Sequence, residues 1–413
     1  MTAVFNSRKD KVFLFLCVLV VLFFWAFNPS GVRSNYGDGD GRYEDRGDSF
    51  SEYIVRNTIR RNVLTPGLGF FPIVAESYSF GDYTSYEKGY KKYYSNLALQ
   101  TVPASMLASF IGIKDYDKFQ YYFIFLKLIS GFVSASFILG FLYLWCRKNN
   151  LKLFWPVPLL VASGSGFVFF SQNLYFVPAL MFLPAVVVAY GAYVKGKINH
   201  ILVFVAGLLY FLRGYEFATI FALMSAFSAF VFSDGSFSHK LKQMSIAFGL
   251  IVLAFISALF IHVGLCMIET GFSMVDASSN VFSALSKRTA STTGVAKPLT
   301  LAFYNVMTYR WSLPGFSILN TWTVLSEINI IIMMVASLLI RFKYLDWNEL
   351  AVYVFGFLAY VSWYVFAYQH MMWHDMYDWY VFALTMGLAF IMLFTLYLNK
   401  AAVFLGSRVG AKL

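Results

Sequence analysis

Charge is scarce in this chain. Asp, Glu, Lys and Arg make up 13% of its 413 residues, and 59% are hydrophobic. Soluble domains carry about 25% charged residues, so a water-soluble globular protein is excluded. Cysteine is rare as well. Cys17, Cys146 and Cys266 each lie in or at the end of an apolar run. They read as small buried hydrophobes, with neither a disulfide framework nor metal-ligand spacing. Internal repeats, low-complexity tracts and glycine-rich phosphate loops are all absent. The formal net charge is +11, yet the basic residues sit in short clusters between apolar runs. That placement belongs to loops meeting a bilayer, and nucleic acid is excluded as a partner.

What the chain has is apolar length. The runs are 12–28, 119–146, 153–170, 174–193, 201–212, 217–232, 244–268, 321–340, 350–368 and 379–398. A helix needs about 20 residues to cross a hydrocarbon core. The expected fold is therefore an all-α polytopic membrane protein, one transmembrane domain over 1–413 with about ten spans. The basic stretch before the first run also fits a signal peptide. The run closes on Trp25-Ala26-Phe27-Asn28-Pro29 without a small-x-small site, so an uncleaved first span is expected.

Basic residues orient the spans, because cytoplasmic loops collect them. With Arg8–Lys11 inside and ten spans, Arg147/Lys148/Lys152, Lys195/Lys197, Lys240/Lys242, Arg341/Lys343 and Lys400/Arg408/Lys412 all fall inside. Fusing the fifth and sixth runs would send every later cluster outside. Both termini are thus expected in the cytoplasm, and Arg213-Gly214-Tyr215-Glu216 becomes a hairpin tip sunk in the membrane. Two long loops lie outside, 29–118 and 269–320, with a tight segment at 369–378.

The first outer loop holds Asp38, Asp40, Glu44, Asp45 and Asp48. A helix is expected over Ser49–Arg61, with Glu52 placed as the acid of a capping box. An amphipathic run over Tyr90–Ile113 is expected along the outer membrane surface. An aspartate near the membrane suits a general base or a divalent-metal ligand. The acidic stretch lacks the spacing and closing Glu of an EF-hand.

Ionisable residues at membrane depth cost about 2.5–3.5 kcal/mol each, which makes them functional candidates. Arg213 and Glu216 either pair with each other or form a polar site in which Arg213 grips an anionic group bidentately. His370 and His374 share the i, i+4 spacing of a metal pair without the Glu of a zinc protease. His374 and Asp375 are the candidates there for substrate contact, beside aromatic anchors. The second outer loop keeps Lys287, Arg288, Lys297 and Arg310 outside, against the positive-inside pattern. They suit an anionic ligand such as a lipid phosphate, or are simply carried across with a long loop.

The layout resembles the GT-C superfamily of membrane glycosyltransferases, which use polyprenyl-phosphate sugars. A short cytoplasmic start leads to one span, a long outer loop with an early acid and a surface helix, then many spans. Tyr94-Ser95-Asn96-Leu97-Ala98-Leu99-Gln100 is similar to a stretch before the second span in bacterial O-antigen-modifying (serotype-conversion) glucosyltransferases. Arg213-Gly214-Tyr215-Glu216-Phe217 is similar to a motif between their central spans. The resemblance implies inverting transfer of a sugar to a glycan or lipid-linked acceptor of lipopolysaccharide type. It implies a base among Asp38, Asp40, Asp45 and Asp48, with Asp48 favoured because it directly precedes the helix and Asp45 next. Arg213, Arg310 or Lys287/Arg288 would meet phosphate; Glu216, His374 and Asp375 complete the substrate-binding set. The phosphate charge needs Arg or Lys, or else a divalent cation (Mg or Mn). A donor synthase and a flippase would be functional partners.

The high Phe and Lys content and the absence of a long glycosylated loop point to a bacterial inner membrane with a periplasmic active face. Three other classes fit less well. A lipid-linked oligosaccharide flippase or transporter commonly has inverted repeats and midplane charges, and neither is seen. An O-antigen polymerase or ligase places its large loop late. An acyltransferase needs a cytoplasmic-side histidine and arginine pattern that is missing.

Overall fold

The computed structural model describes residues 8–28, 49–65, 69–75, 90–175, 177–289, 314–318, 323–367 and 377–410. Asp38, Asp40, Asp45, Asp48, Arg310, His370, His374 and Asp375 lie outside the described residues. Lys287 and Arg288 fall on a described helix, but their side chains are not described.

The chain is an all-α integral membrane protein. The described residues form fourteen helices, five of them long and apolar enough to span a membrane. In chain order they are α1 (Arg8–Phe27), α2 (Ser49–Leu64), α3 (Thr101–Phe110), α4 (Tyr116–Lys148), α5 (Pro156–Ser163), α6 (Ser165–Phe170), α7 (Pro178–Val194), α8 (His200–Arg213), α9 (Ala218–Phe232), α10 (Phe237–Thr270), α11 (Met274–Thr289), α12 (Glu327–Arg341), α13 (Trp347–Phe366) and α14. The last runs from Tyr377–Phe382 through a π turn at Ala383–Gly387 into Leu388–Gly410. Two small antiparallel hairpins accompany them: β1 (Ile73–Ala75) with β2 (Tyr90–Lys92), and β3 (Pro314–Ser317) with β4 (Thr323–Ser326).

The helix starts follow local chemistry. Asn199, Ser236, Ser326 and Asp346 each accept a backbone N–H of the first turn, at 3.1, 3.3, 3.4 and 2.8 Å. These contacts satisfy donors that a helix N-terminus leaves unmade. The spanning helices are apolar around most of their circumference, as lipid-facing helices must be. Phe260 and Ile268 on α10 are 68% and 81% exposed.

Two apolar runs differ from the simple spans expected of them, and the expected surface run differs as well. Run 153–170 is two short helices broken at Gly164, where the backbone bridges to Phe316 of β3. Broken backbone at membrane depth survives only where protein covers it, and here the hairpin supplies that cover. Gly166 lets α6 touch α14, since a β-carbon there would run into the Trp379 carbonyl. Run 321–340 opens as a strand, because Thr323–Ser326 pair with β3, and turns helical only at Glu327. The Tyr90–Ile113 run is a strand, an irregular stretch and a ten-residue helix. Its middle is drawn off by hydrogen bonds to other elements. The fifth and sixth runs are separate helices, α8 of 14 residues and α9 of 15. At 1.5 Å per residue they reach about 21–23 Å, short of a hydrocarbon core about 30 Å thick.

The bundle has two chemically distinct ends. At one, Lys148 pairs with Asp234, Lys240 Nζ donates to Asn348 (2.7 Å), and Lys400 pairs with Glu349. This basic end gathers the clusters at 147–152, 240, 341 and 400. The other, the loop end, carries α2, α3, both strands of the first hairpin and the turn from α8 to α9.

Candidate functional site

The loop end is built around the α8–α9 turn. Arg213 is fully buried and Glu216 nearly so, and their side chains lie 3.6 Å apart. Glu216 Oε1 accepts from Tyr175 Oη at 2.7 Å and from Asn96 Nδ2 at 2.8 Å. Arg213 Nη1 donates to the Tyr175 carbonyl at 3.2 Å, as does Gln100 Nε2 at 3.1 Å. The Tyr210 hydroxyl donates to the Glu216 carbonyl, and the Arg213 guanidinium lies 5.2 Å from the Tyr210 ring centre. Charge-assisted bonds of this kind are the strong ones, and burial makes each more costly to lose.

The turn's backbone is specialised. Gly214 is extended, and a β-carbon there would run into Glu216 Oε2. Phe217 sits in the left-handed region at φ 62°. Val177, two residues after Tyr175, does so at φ 43°, a rare state for a β-branched residue. Strain of this kind persists only where surroundings over-determine it, often at functional sites.

The segment 94–100 lies over this turn. Leu99 N–H donates to the Leu212 carbonyl at 3.2 Å, and Ala98 N–H to Phe70 at 3.0 Å. Asn96 and Glu216, 120 residues apart in sequence, are thereby joined. His262 of α10 adds a further tie, with Nδ1 2.9 Å from the Tyr215 hydroxyl and Nε2 3.0 Å from the Tyr94 carbonyl.

A second buried charge cluster lies between α2 and α4. Lys127 Nζ is 2.6 Å from Glu52 Oε1, and Arg56 pairs with the same oxygen. Arg60 stacks over Tyr116 at 4.5 Å. Burial pushes the Glu52 carboxyl up, but Lys127 and Arg56 outweigh it and hold it below the usual carboxylate range. Glu52, read from the sequence as a capping-box acid, thus commits its carboxylate to Arg56 on its own helix and to Lys127 across the helix interface. Sequence reasoning passed over Lys127, although a lysine within an apolar run is a signal in itself. Tyr175 and His262 carry no such mark, and Asn96 is marked only as a member of the 94–100 stretch.

Of the expected site residues, Arg213 and Glu216 are brought together, paired and enclosed. Lys287 and Arg288 sit at the end of α11, which packs on α10. Among the described residues no group of three or more His, Cys, Asp or Glu is placed to hold a metal ion. On the other flank of α9 an apolar groove of about 380 Å³ runs between α8, α9, α10 and α13, lined by Phe211, Ala218, Thr219, Ala222, Phe255 and Ser362.

Comparison with known proteins names no relative. No family model matches the chain, and no curated protein or solved structure matches it either.

Proposed function

We propose that this protein transfers a sugar from a polyprenyl-phosphate donor to a glycan or lipid-linked acceptor at the non-cytoplasmic side of a membrane. The observation that carries the reading is the junction of two distant stretches. The residues 94–100 and 213–217, which carry the GT-C resemblance, meet in one buried polar centre through Asn96 and Glu216. The ten-span threading supports it too, with the basic end cytoplasmic and the loop end facing the periplasm of a bacterial inner membrane. The short reach of α8 and α9 supports a turn at Arg213–Phe217 that lies below that surface. The apolar groove flanks the turn, with Phe211 before it and Ala218 after it in the lining, and is chemically suited to an isoprenoid chain.

In this reading an acceptor hydroxyl attacks the anomeric carbon and its proton passes to a carboxylate. The bond to the phosphate oxygen breaks, and polyprenyl phosphate leaves with inversion. Glu52 is a poor proton acceptor because two cations hold it ionised, so the base falls to Asp48, with Asp45 and Asp40 next. Arg213 anchors the turn through Glu216 and is the phosphate partner at this centre. Arg310, Lys287 and Arg288 are further phosphate partners, and His374 and Asp375 face donor or acceptor.

The test is transfer from a radiolabelled polyprenyl-phosphate hexose to a lipid-linked glycan in liposomes, with Asp48→Asn, Asp45→Asn, Asp40→Asn and Arg213→Ala at matched expression. Loss confined to one aspartate variant names the base. Removing a general base is expected to cost about 10²–10⁴-fold. Wild type that moves lipid-linked sugar across the bilayer but transfers none would replace this reading with a flippase.

A further inference from the structure

We propose that His262 is a positioning residue, which locks the segment 94–100 onto the Arg213–Phe217 turn by acting as donor on one ring nitrogen and acceptor on the other. The inference deepens the functional reading above and rests on it for its kinetic consequence alone.

His262 is fully buried in α10 and touches the site from a third element. A carbonyl oxygen can only accept, so Nε2, 3.0 Å from the Tyr94 carbonyl, must carry a proton. In the neutral ring Nδ1 then holds a lone pair, and the Tyr215 hydroxyl at 2.9 Å donates to it. The hydroxyl's other acceptor, the Ala258 carbonyl, is farther, at 3.5 Å. One tautomer therefore satisfies both contacts. The ring is held in plane by Tyr215, stacked at 5.7 Å and 14°, and by Phe71 at 5.4 Å.

The placement explains why this matters for the site. Tyr94 is two residues before Asn96, and Tyr215 immediately precedes Glu216. Backbone advances at most about 3.3–3.6 Å per residue, so a shift at either anchor is passed to the Asn96–Glu216 bond. His262 thus grips both sides of that bond without touching it.

The test uses the full chain in lipid nanodiscs. ¹⁵N-histidine spectra of wild type, with His262→Gln to identify the resonance by difference, are expected to show the proton on Nε2. Tyr215→Phe is expected to shift Nδ1 alone. A proton on Nδ1, or a ring averaging between tautomers, overturns the proposal. Hydrogen exchange over 94–100 is expected to quicken in His262→Phe and to stay near wild type in His262→Gln, whose amide offers both a donor and an acceptor. Equal exchange in the two variants overturns it. In the transfer assay, corrected for folded protein, His262→Phe is expected to lose kcat by up to about a hundredfold, with His262→Gln recovering most of it. Equal kcat and KM in both variants reduce His262 to packing. If wild type transfers no sugar while the tautomer and exchange results hold, the functional reading fails and the lock stands.

Discussion

At the basic end, Glu349 meets Arg341 at 3.6 Å and Lys400, whose side chains remain 33% and 47% exposed. At the loop end, Arg213 and Glu216 keep 0% and 2%. Both are carboxylate–cation clusters tying helix ends together. The first leaves its cations within reach of water or headgroups, which suits a staple between α12, α13 and α14. The second encloses cation and carboxylate together and adds Asn96, Tyr175 and Tyr210 around them. Enclosing charge is expensive, and a buried ion pair is weak evidence of stabilisation. A chain that only needed to join α8 to α9 could use an apolar turn. The contrast is why the loop end, and not the basic end, is the candidate site.

Breaking the two clusters should sharpen that contrast. The largest effect is expected from Glu216→Ala, which strands Arg213 without its carboxylate. Removing one member of a buried pair costs about 3–5 kcal/mol, read as a sharp fall in melting temperature or in folded yield by size-exclusion chromatography. A melting temperature equal to wild type would show that the turn does not depend on this carboxylate.

Glu52→Gln ranks next, at about 1–3 kcal/mol for lost charged hydrogen bonds, and its effect should depend on pH. The folded carboxyl lies below its ordinary value of 4.5, so its stabilisation is complete above that value. It is lost as pH falls through the lowered folded value. The melting difference between wild type and Glu52→Gln should be flat from neutral pH down to about 5 and shrink below 4.5. A difference that widens on acidification would mean that Glu52 is not held ionised by Lys127 and Arg56.

The smallest effect belongs to Lys400→Ala at the basic end. A pair with a half-exposed cation contributes about 0–1 kcal/mol, so melting should move little. A loss as large as that of Glu216→Ala would erase the distinction between the two ends.

Much of the helical layout was legible because bilayer physics writes it into composition. Apolar length, the lysine and arginine clusters and the split between runs five and six can all be read without coordinates. The Arg213–Glu216 pair was legible too, since spacing of three places both on one face of a turn. Other features were not. The break at Gly164 lies within an uninterrupted apolar run, and only the β3 hairpin arriving from 150 residues away explains it. Glu52 looked like a cap because local pattern reports only neighbours in sequence. Its true partner on α4, Lys127, is 75 residues further on.

Local composition alone fixes that the chain lives in a membrane, where most of its helices fall and which end is basic. These properties are sums over local hydropathy and charge, and each residue contributes whatever its distant neighbours are. Tertiary structure alone decided that Asn96, Tyr175, Glu216 and His262 form one centre. Hydrogen bonds depend on approach to within about 3 Å and on donor geometry, and no local pattern encodes which distant segment will supply the partner.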